Sequence, residues 1–108
     1  MNEDVKKKWV AALRSGEYPQ ATGDLKTIGG FCCLGVLCEV IEPGSLQKYY
    51  AREPGYSITT DAPTYLPDYV RERGGDMVYD NQAALVFQND TQRKSFAEIA
   101  DFVEVADL

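Results

Sequence analysis

The chain has no histidine, little positive charge, only three cysteines and no long apolar run, and each shortage removes a class of function. Without an imidazole there is no Ser-His-Asp or Cys-His nucleophile, no HExxH zinc site and no His-ligated metal of any kind. Lys and Arg number 11 against 17 Asp and Glu, a net charge of −6, and the pI is near 4.5. Broad binding to phosphate backbones or to anionic membrane surfaces is therefore disfavoured, so neither a nucleic-acid nor a membrane partner is expected. The longest uncharged stretch, around Phe31 to Cys38, is about a dozen residues, short of the roughly 20 that span a bilayer. Met-Asn-Glu-Asp does not read as a signal peptide, and a cytoplasmic protein is expected. An odd number of cysteines without an export signal reads as reduced thiols rather than a disulfide framework.

What is present is ordinary globular material. The 108 residues are 44% apolar and 26% charged, which suits one domain, residues 1–108, with a single sizeable core. From Asn2 to Arg14 the apolar residues Val5, Trp9, Ala12 and Leu13 recur at helical spacing, Asn2 can cap, and Gly16 follows the end. The spacing predicts a helix there. Lys6, Lys7 and Lys8 fan around most of a helix circumference and read as solvated. A loop follows, punctuated by Gly16, Pro19 and Gly23.

Leu25 to Ile28 reads as a short strand that turns at Gly29-Gly30. The run from Phe31 to Ile41 is apolar on nearly every side and ends at Pro43-Gly44, which predicts a buried helix. Gly35 inside it implies that another backbone packs closely on that face. Beyond Ser45 the pattern weakens, with a short strand read at Ser57 to Thr59. Leu66-Pro67-Asp68-Tyr69-Val70 reads as the start of a short helix that Gly74-Gly75 ends. Met77 to Tyr79 and Ala83 to Phe87, on either side of Asp80-Asn81-Gln82, read as a hairpin, although that loop lacks glycine. Ser95-Phe96-Ala97-Glu98 matches a capping box, and Phe96, Ile99, Ala100 and Val103 follow at helical spacing. Glu98, Asp101, Glu104 and Asp107 form an acidic stripe, while Phe102 and Val105 widen the apolar face. The expected fold class is α+β: three or so helices packed on a small antiparallel sheet drawn from the middle and later chain.

Candidate chemistry is sparse. Cys32-Cys33 and Cys38 supply three sulfurs where structural zinc takes four N or S ligands, so they read as small apolar residues, and no metal or cofactor is expected. Glycines before Phe31 lack the Lys-Ser/Thr of a nucleotide-triphosphatase loop. Gly74-Gly75-Asp76 is followed by Met77-Val78, which rules out a cyclic-dinucleotide synthase signature. All tyrosines except Tyr18 lie between Tyr49 and Tyr79, together with Arg52, Arg71 and Arg73. That mixture suits stacking on flat rings and holding anions, and equally suits partly buried aromatics.

Arg14-Ser15-Gly16-Glu17-Tyr18-Pro19-Gln20, the block Phe31-Cys32-Cys33-Leu34-Gly35-Val36-Leu37-Cys38, Leu66-Pro67, Asn89-Asp90 and Ser95-Phe96-Ala97-Glu98-Ile99-Ala100-Asp101 together resemble a family of small proteins encoded by tailed bacteriophages and prophages. The likeness runs from Trp9 to about Glu104 with an unmatched middle. The chain departs from the family pattern at Thr91-Gln92-Arg93, where a glycine is usual. The resemblance carries no activity with it. It implies an accessory protein acting in the infected host, and one class of such proteins sequesters nucleotide-derived immune signals. A sponge for an ADP-ribose-type or cyclic nucleotide needs a pocket and no proton-transfer group. Arg14, Tyr18, Gln20, Phe31, Cys32, Cys33, Asn89 and Asp90 are the expected ligand contacts, with no catalytic residue, and a homo-oligomer would supply more pocket wall. Two other readings stay open: an acidic inhibitor that covers a host protein, and a His-independent enzyme that cleaves a nucleotide with carboxylates or Mg²⁺.

Overall fold

Asn2 starts the first helix. Its Oδ1 accepts from the backbone N–H groups of Asp4 and Val5 at 2.9 and 3.1 Å, which satisfies two of the donors left open at a helix start. The helix, α1, runs Glu3–Arg14 and buries Trp9, Val10 and Leu13. The computed structural model describes residues 1–47 and 63–108. The strand expected at Ser57 to Thr59, and Tyr49, Tyr50, Arg52 and Tyr56 with it, lie outside the described residues.

Two short strands follow, β1 (Lys26–Thr27) and β2 (Gly30–Phe31), paired antiparallel with Lys26 opposite Phe31 and Thr27 opposite Gly30. The incoming loop adds to β2: Phe31 N–H donates to the Pro19 carbonyl and Ala21 N–H to the Phe31 carbonyl, both at 2.8 Å. Gly30, at φ +149°, lies so close to the Pro19 carbonyl that a Cβ would overlap it. No larger residue fits while the loop lies on the strand.

The second helix, α2 (Cys33–Ile41), is the centre of the molecule, and every residue from Cys33 to Cys38 is buried. Cys32 stands at its N-terminal cap in extended geometry, and Phe31 belongs to β2, so the helix begins two residues later than the apolar run suggests. Gly35 meets the Leu25 carbonyl, which a Cβ would overlap. This is the close backbone neighbour that a glycine inside a helix implied. Trp9 Nε1 donates to the Cys33 carbonyl at 2.9 Å and ties α1 to the start of α2.

A single turn of helix, α3 (Asp68–Val70), runs into the wide turn Arg71–Gly75, as the Pro67 and Gly74-Gly75 punctuation predicts. The segment after it differs from expectation. Instead of a hairpin, one helix, α4, spans Tyr79–Asp90. The physical reason lies in the residues that read as a turn: Gln82 faces inward, accepting from Leu66 N–H at 2.9 Å and donating to the Met77 carbonyl at 3.0 Å. Without a glycine to bend at Asp80-Asn81-Gln82, and with Ala83, Ala84 and Leu85 favouring a helix, the chain continues helically. The sheet is consequently the β1–β2 pair alone among the described residues, in the first third of the chain and not in its middle and later parts.

The last helix, α5 (Phe96–Val105), has both halves of the Ser95–Glu98 capping box and buries Phe96, Ile99, Ala100 and Val103. It lies antiparallel to α1, with Lys6 reaching Ala106 while Arg14 reaches Asp101 and Glu104. The protein is a single α+β domain with, among the described residues, five α-helices and one two-stranded antiparallel sheet. No helix among the described residues is long and apolar enough to cross a membrane.

Candidate functional site

Arg14 sits in the last turn of α1, where a cation meets the negative end of the helix. Its Nη1 donates to Glu104 at 2.6 Å and its Nη2 to Asp101 at 2.7 Å. Hydrogen bonding to Glu104, then to Asp101, raises its pKa and holds it charged. The guanidinium lies along a surface groove of about 570 Å³ that also contains Lys6 and Lys7, with Val10 and Ala11 in its lining and Glu3 and Glu104 as its acidic members. Lys6 Nζ donates to the Ala106 carbonyl at 2.6 Å. Lys7 makes no ion pair among the described residues. The groove exists because positions 7, 10, 11 and 14 of a helix share one side, and that spacing was the signal in the sequence. Lys7 and Lys8 are exposed, as the solvated fan predicts, and Lys6 is half-buried.

Tyr18 and Phe31 form a second group. Their ring centroids are 5.6 Å apart at 85°, and Lys26 Nζ stands 4.2 Å from the Phe31 centroid, as expected for directly paired strand residues. The ring is therefore already in use. A pocket of about 260 Å³ lies beside it, between Pro19, the hairpin and Gln47.

Gln20, Asn89 and Asp90 make a third group, and here residues far apart in sequence do converge. Gln20 Nε2 donates to Asn89 Oδ1 at 2.9 Å and to the Lys94 carbonyl at 2.8 Å. Asn89 Nδ2 donates to the Ala21 carbonyl at 2.9 Å and to Asp90 Oδ1 at 2.7 Å, while Asp90 Oδ2 accepts from Gly23 N–H at 3.0 Å. Asn89 is 1% exposed. The network spends its polar atoms on holding the loop after α1 against the end of α4. The small pocket beside it, about 220 Å³, shares no lining residue with the Arg14 groove.

Cys32 and Cys33 are fully buried and free, as is Cys38. Burial pushes the Cys32 thiol up to about 11 and Cys38 to about 12, and raises Cys33 well above the ordinary thiol range. None is a thiolate near neutral pH, so none is a nucleophile there. The backbone at the start of α2 is also occupied: Phe31 N–H is spent on Pro19 and Cys32 N–H on the Leu25 carbonyl at 3.2 Å. Among the described residues no cluster of three or more His, Cys, Asp or Glu side chains could hold a metal ion.

The described part of the tyrosine and arginine region is likewise committed to internal bonds. Arg71 pairs with Asp76 at 2.9 Å and Arg73 with Glu42 at 3.6 Å, and Tyr69 OH donates to Ser45 Oγ at 2.7 Å. The structure thus divides the eight expected contacts: Arg14 faces a groove, Tyr18 and Phe31 pack on each other, Gln20, Asn89 and Asp90 lock a loop, and Cys32 and Cys33 fill the core. A family model described as "Domain of unknown function (DUF8296)" matches residues 1–107. No curated protein and no solved structure matches the chain.

Proposed function

The chain belongs to this family, whose description assigns no activity, and from its residues we propose that it binds and withholds an anionic, nucleotide-derived signal molecule without converting it. In this reading it is a phage accessory protein working in the cytoplasm of the infected bacterium. The observation that carries the proposal is the groove along α1, where Lys6, Lys7 and Arg14 gather over Val10 and Ala11 on a chain of net charge −6. About 570 Å³ falls in the range of small-molecule sites, roughly 300–1,000 Å³. The cations suit phosphate groups and the aliphatic floor suits a ribose or base. Two of the five guanidinium N–H groups of Arg14 are used by Asp101 and Glu104, leaving the others for a ligand oxygen. Asp101 and Glu104 then act as positioning residues that hold the fork. The absence of imidazole and the inert thiols agree with binding in preference to chemistry.

Titration calorimetry at low salt with ADP-ribose and with a cyclic dinucleotide tests this. The K7A/R14A double variant is expected to lose affinity by at least about tenfold, with an unchanged unfolding transition because both side chains are exposed. Failure of wild-type protein to bind either probe would contradict the proposal. A second reading, an acidic inhibitor that covers a host protein, has the outer face of α5 in its favour. There Glu98, Asp101, Glu104 and Asp107 are exposed beside Val105, which is 83% exposed. It requires association with a basic protein that weakens steeply with salt and ignores nucleotides.

A further inference from the structure

The groove along α1 is not uniformly cationic. Against Lys6, Lys7 and Arg14 it sets two carboxylates, Glu3 and Glu104, and the two are differently employed. Glu104 Oε2 accepts from Arg14 Nη1 at 2.6 Å. Glu3 is exposed and, like Lys7, makes no ion pair among the described residues. Glu3, Lys7, Val10 and Arg14 follow one another at steps of four, three and four residues, which places them along one side of the helix. The groove therefore runs from a carboxylate through an ammonium and an apolar floor to a guanidinium, about three helical turns or roughly 16 Å along the axis. Its two ends differ in chemistry.

An ionised carboxylate has only acceptor oxygens. In an anion-binding groove it repels phosphate, and it holds a ligand hydroxyl by a charge-assisted hydrogen bond, roughly twice as strong as a neutral one. Resting on the reading of this groove as a nucleotide site, we propose that Glu3 sets its specificity by accepting from the hydroxyls of a terminal sugar, on a linear nucleotide whose diphosphate lies between Lys7 and Arg14. The ligand class is then a nucleoside diphosphate sugar of the ADP-ribose type. An extended molecule with its phosphates in the middle fits a long track that is cationic in its middle and acidic at the Glu3 end, because its phosphates stand clear of that carboxylate. A cyclic dinucleotide closes both phosphates into one compact ring, so it either leaves the Glu3 end unfilled or brings a phosphate towards it. A nucleoside triphosphate concentrates more negative charge than a groove of three cations and two carboxylates balances.

Titration calorimetry at low salt with ADP-ribose, ADP and cyclic di-AMP, on wild-type protein and on E3A, tests the proposal. Wild-type protein is expected to bind ADP-ribose more tightly than cyclic di-AMP. E3A should weaken ADP-ribose by about tenfold. It should leave ADP, which lacks the terminal sugar, unchanged or tighter, because a repelling charge has gone. E3Q, which keeps an acceptor oxygen without the charge, should fall between E3A and the wild type. Circular dichroism separates loss of a ligand contact from loss of fold, and Asn2 still caps α1 in both variants. An E3A protein that holds ADP-ribose as tightly as the wild type or more tightly, an equal loss for ADP, or a wild-type preference for cyclic di-AMP would each overturn the role of Glu3 and leave the nucleotide site standing. Wild-type protein that binds none of the three would remove the site itself, and the role of Glu3 with it.

Discussion

At the scale of single residues, two backbone positions carry the most consequence. Arg93 lies in the left-handed region at φ +51°, which costs a non-glycine residue ~1 kcal/mol or more. R93G is therefore expected to raise stability by about 1 kcal/mol, read as a higher urea midpoint at unchanged slope. Gly35 is the opposite case: a methyl group would strike the Leu25 carbonyl, and G35A is expected to cost about 3 kcal/mol in the same assay. The buried thiols give a third residue-scale outcome. Their folded pKa values are raised by burial, so unfolded chains lose thiol protons first as pH climbs above about 9. Stability contributed by Cys32 is complete below that pH and declines as pH rises towards about 11. At pH 8 the native protein should withhold all three cysteines from a thiol reagent, and the denatured protein should yield all three. Fast labelling of the native protein would refute their burial.

At the scale of elements, legibility follows from where each element keeps its apolar side. Helices α1 and α5 announce themselves because Asn2 and Ser95 cap them and their apolar stripes face the core. Helix α2 is legible as a buried run, and Gly35 even implied the backbone against it, though the identity of Leu25 needs three dimensions. Helix α4 is illegible for a definite reason: Gln82, Gln88 and Asn89 are buried with Leu85 while Tyr79 and Phe87 are exposed, so apolar spacing does not mark its buried side. The candidate site was readable only in pieces. Arg14 stands out as a helix-end cation, the solvated fan of lysines does not reveal that Lys6 and Lys7 share its groove, and Gln20, Asn89 and Asp90 converge on one another and not on the groove. N89A should therefore cost about 1–3 kcal/mol, because it strands the Ala21 carbonyl and Gln20. Amide exchange should quicken across residues 19–23, while nucleotide affinity stays as in the wild type. A variant that keeps its stability but loses the ligand would move the site to Asn89.

At the scale of the whole molecule, a chain with six excess negative charges gathers Lys6, Lys7 and Arg14 in one groove on α1, beside Glu3 and Glu104. If that groove takes an anion as proposed, added salt should weaken the binding, because it screens the attraction between these cations and a phosphate. The most direct test of nucleotide sequestration is native mass spectrometry of protein purified from cells that accumulate cyclic-nucleotide or ADP-ribose-derived immune signals, followed by denaturation and mass analysis of what is released. The expected result is a species heavier than the 12.0 kDa chain that releases an intact nucleotide. A bare chain from such cells, or a nucleotide recovered in altered form, would contradict binding without conversion.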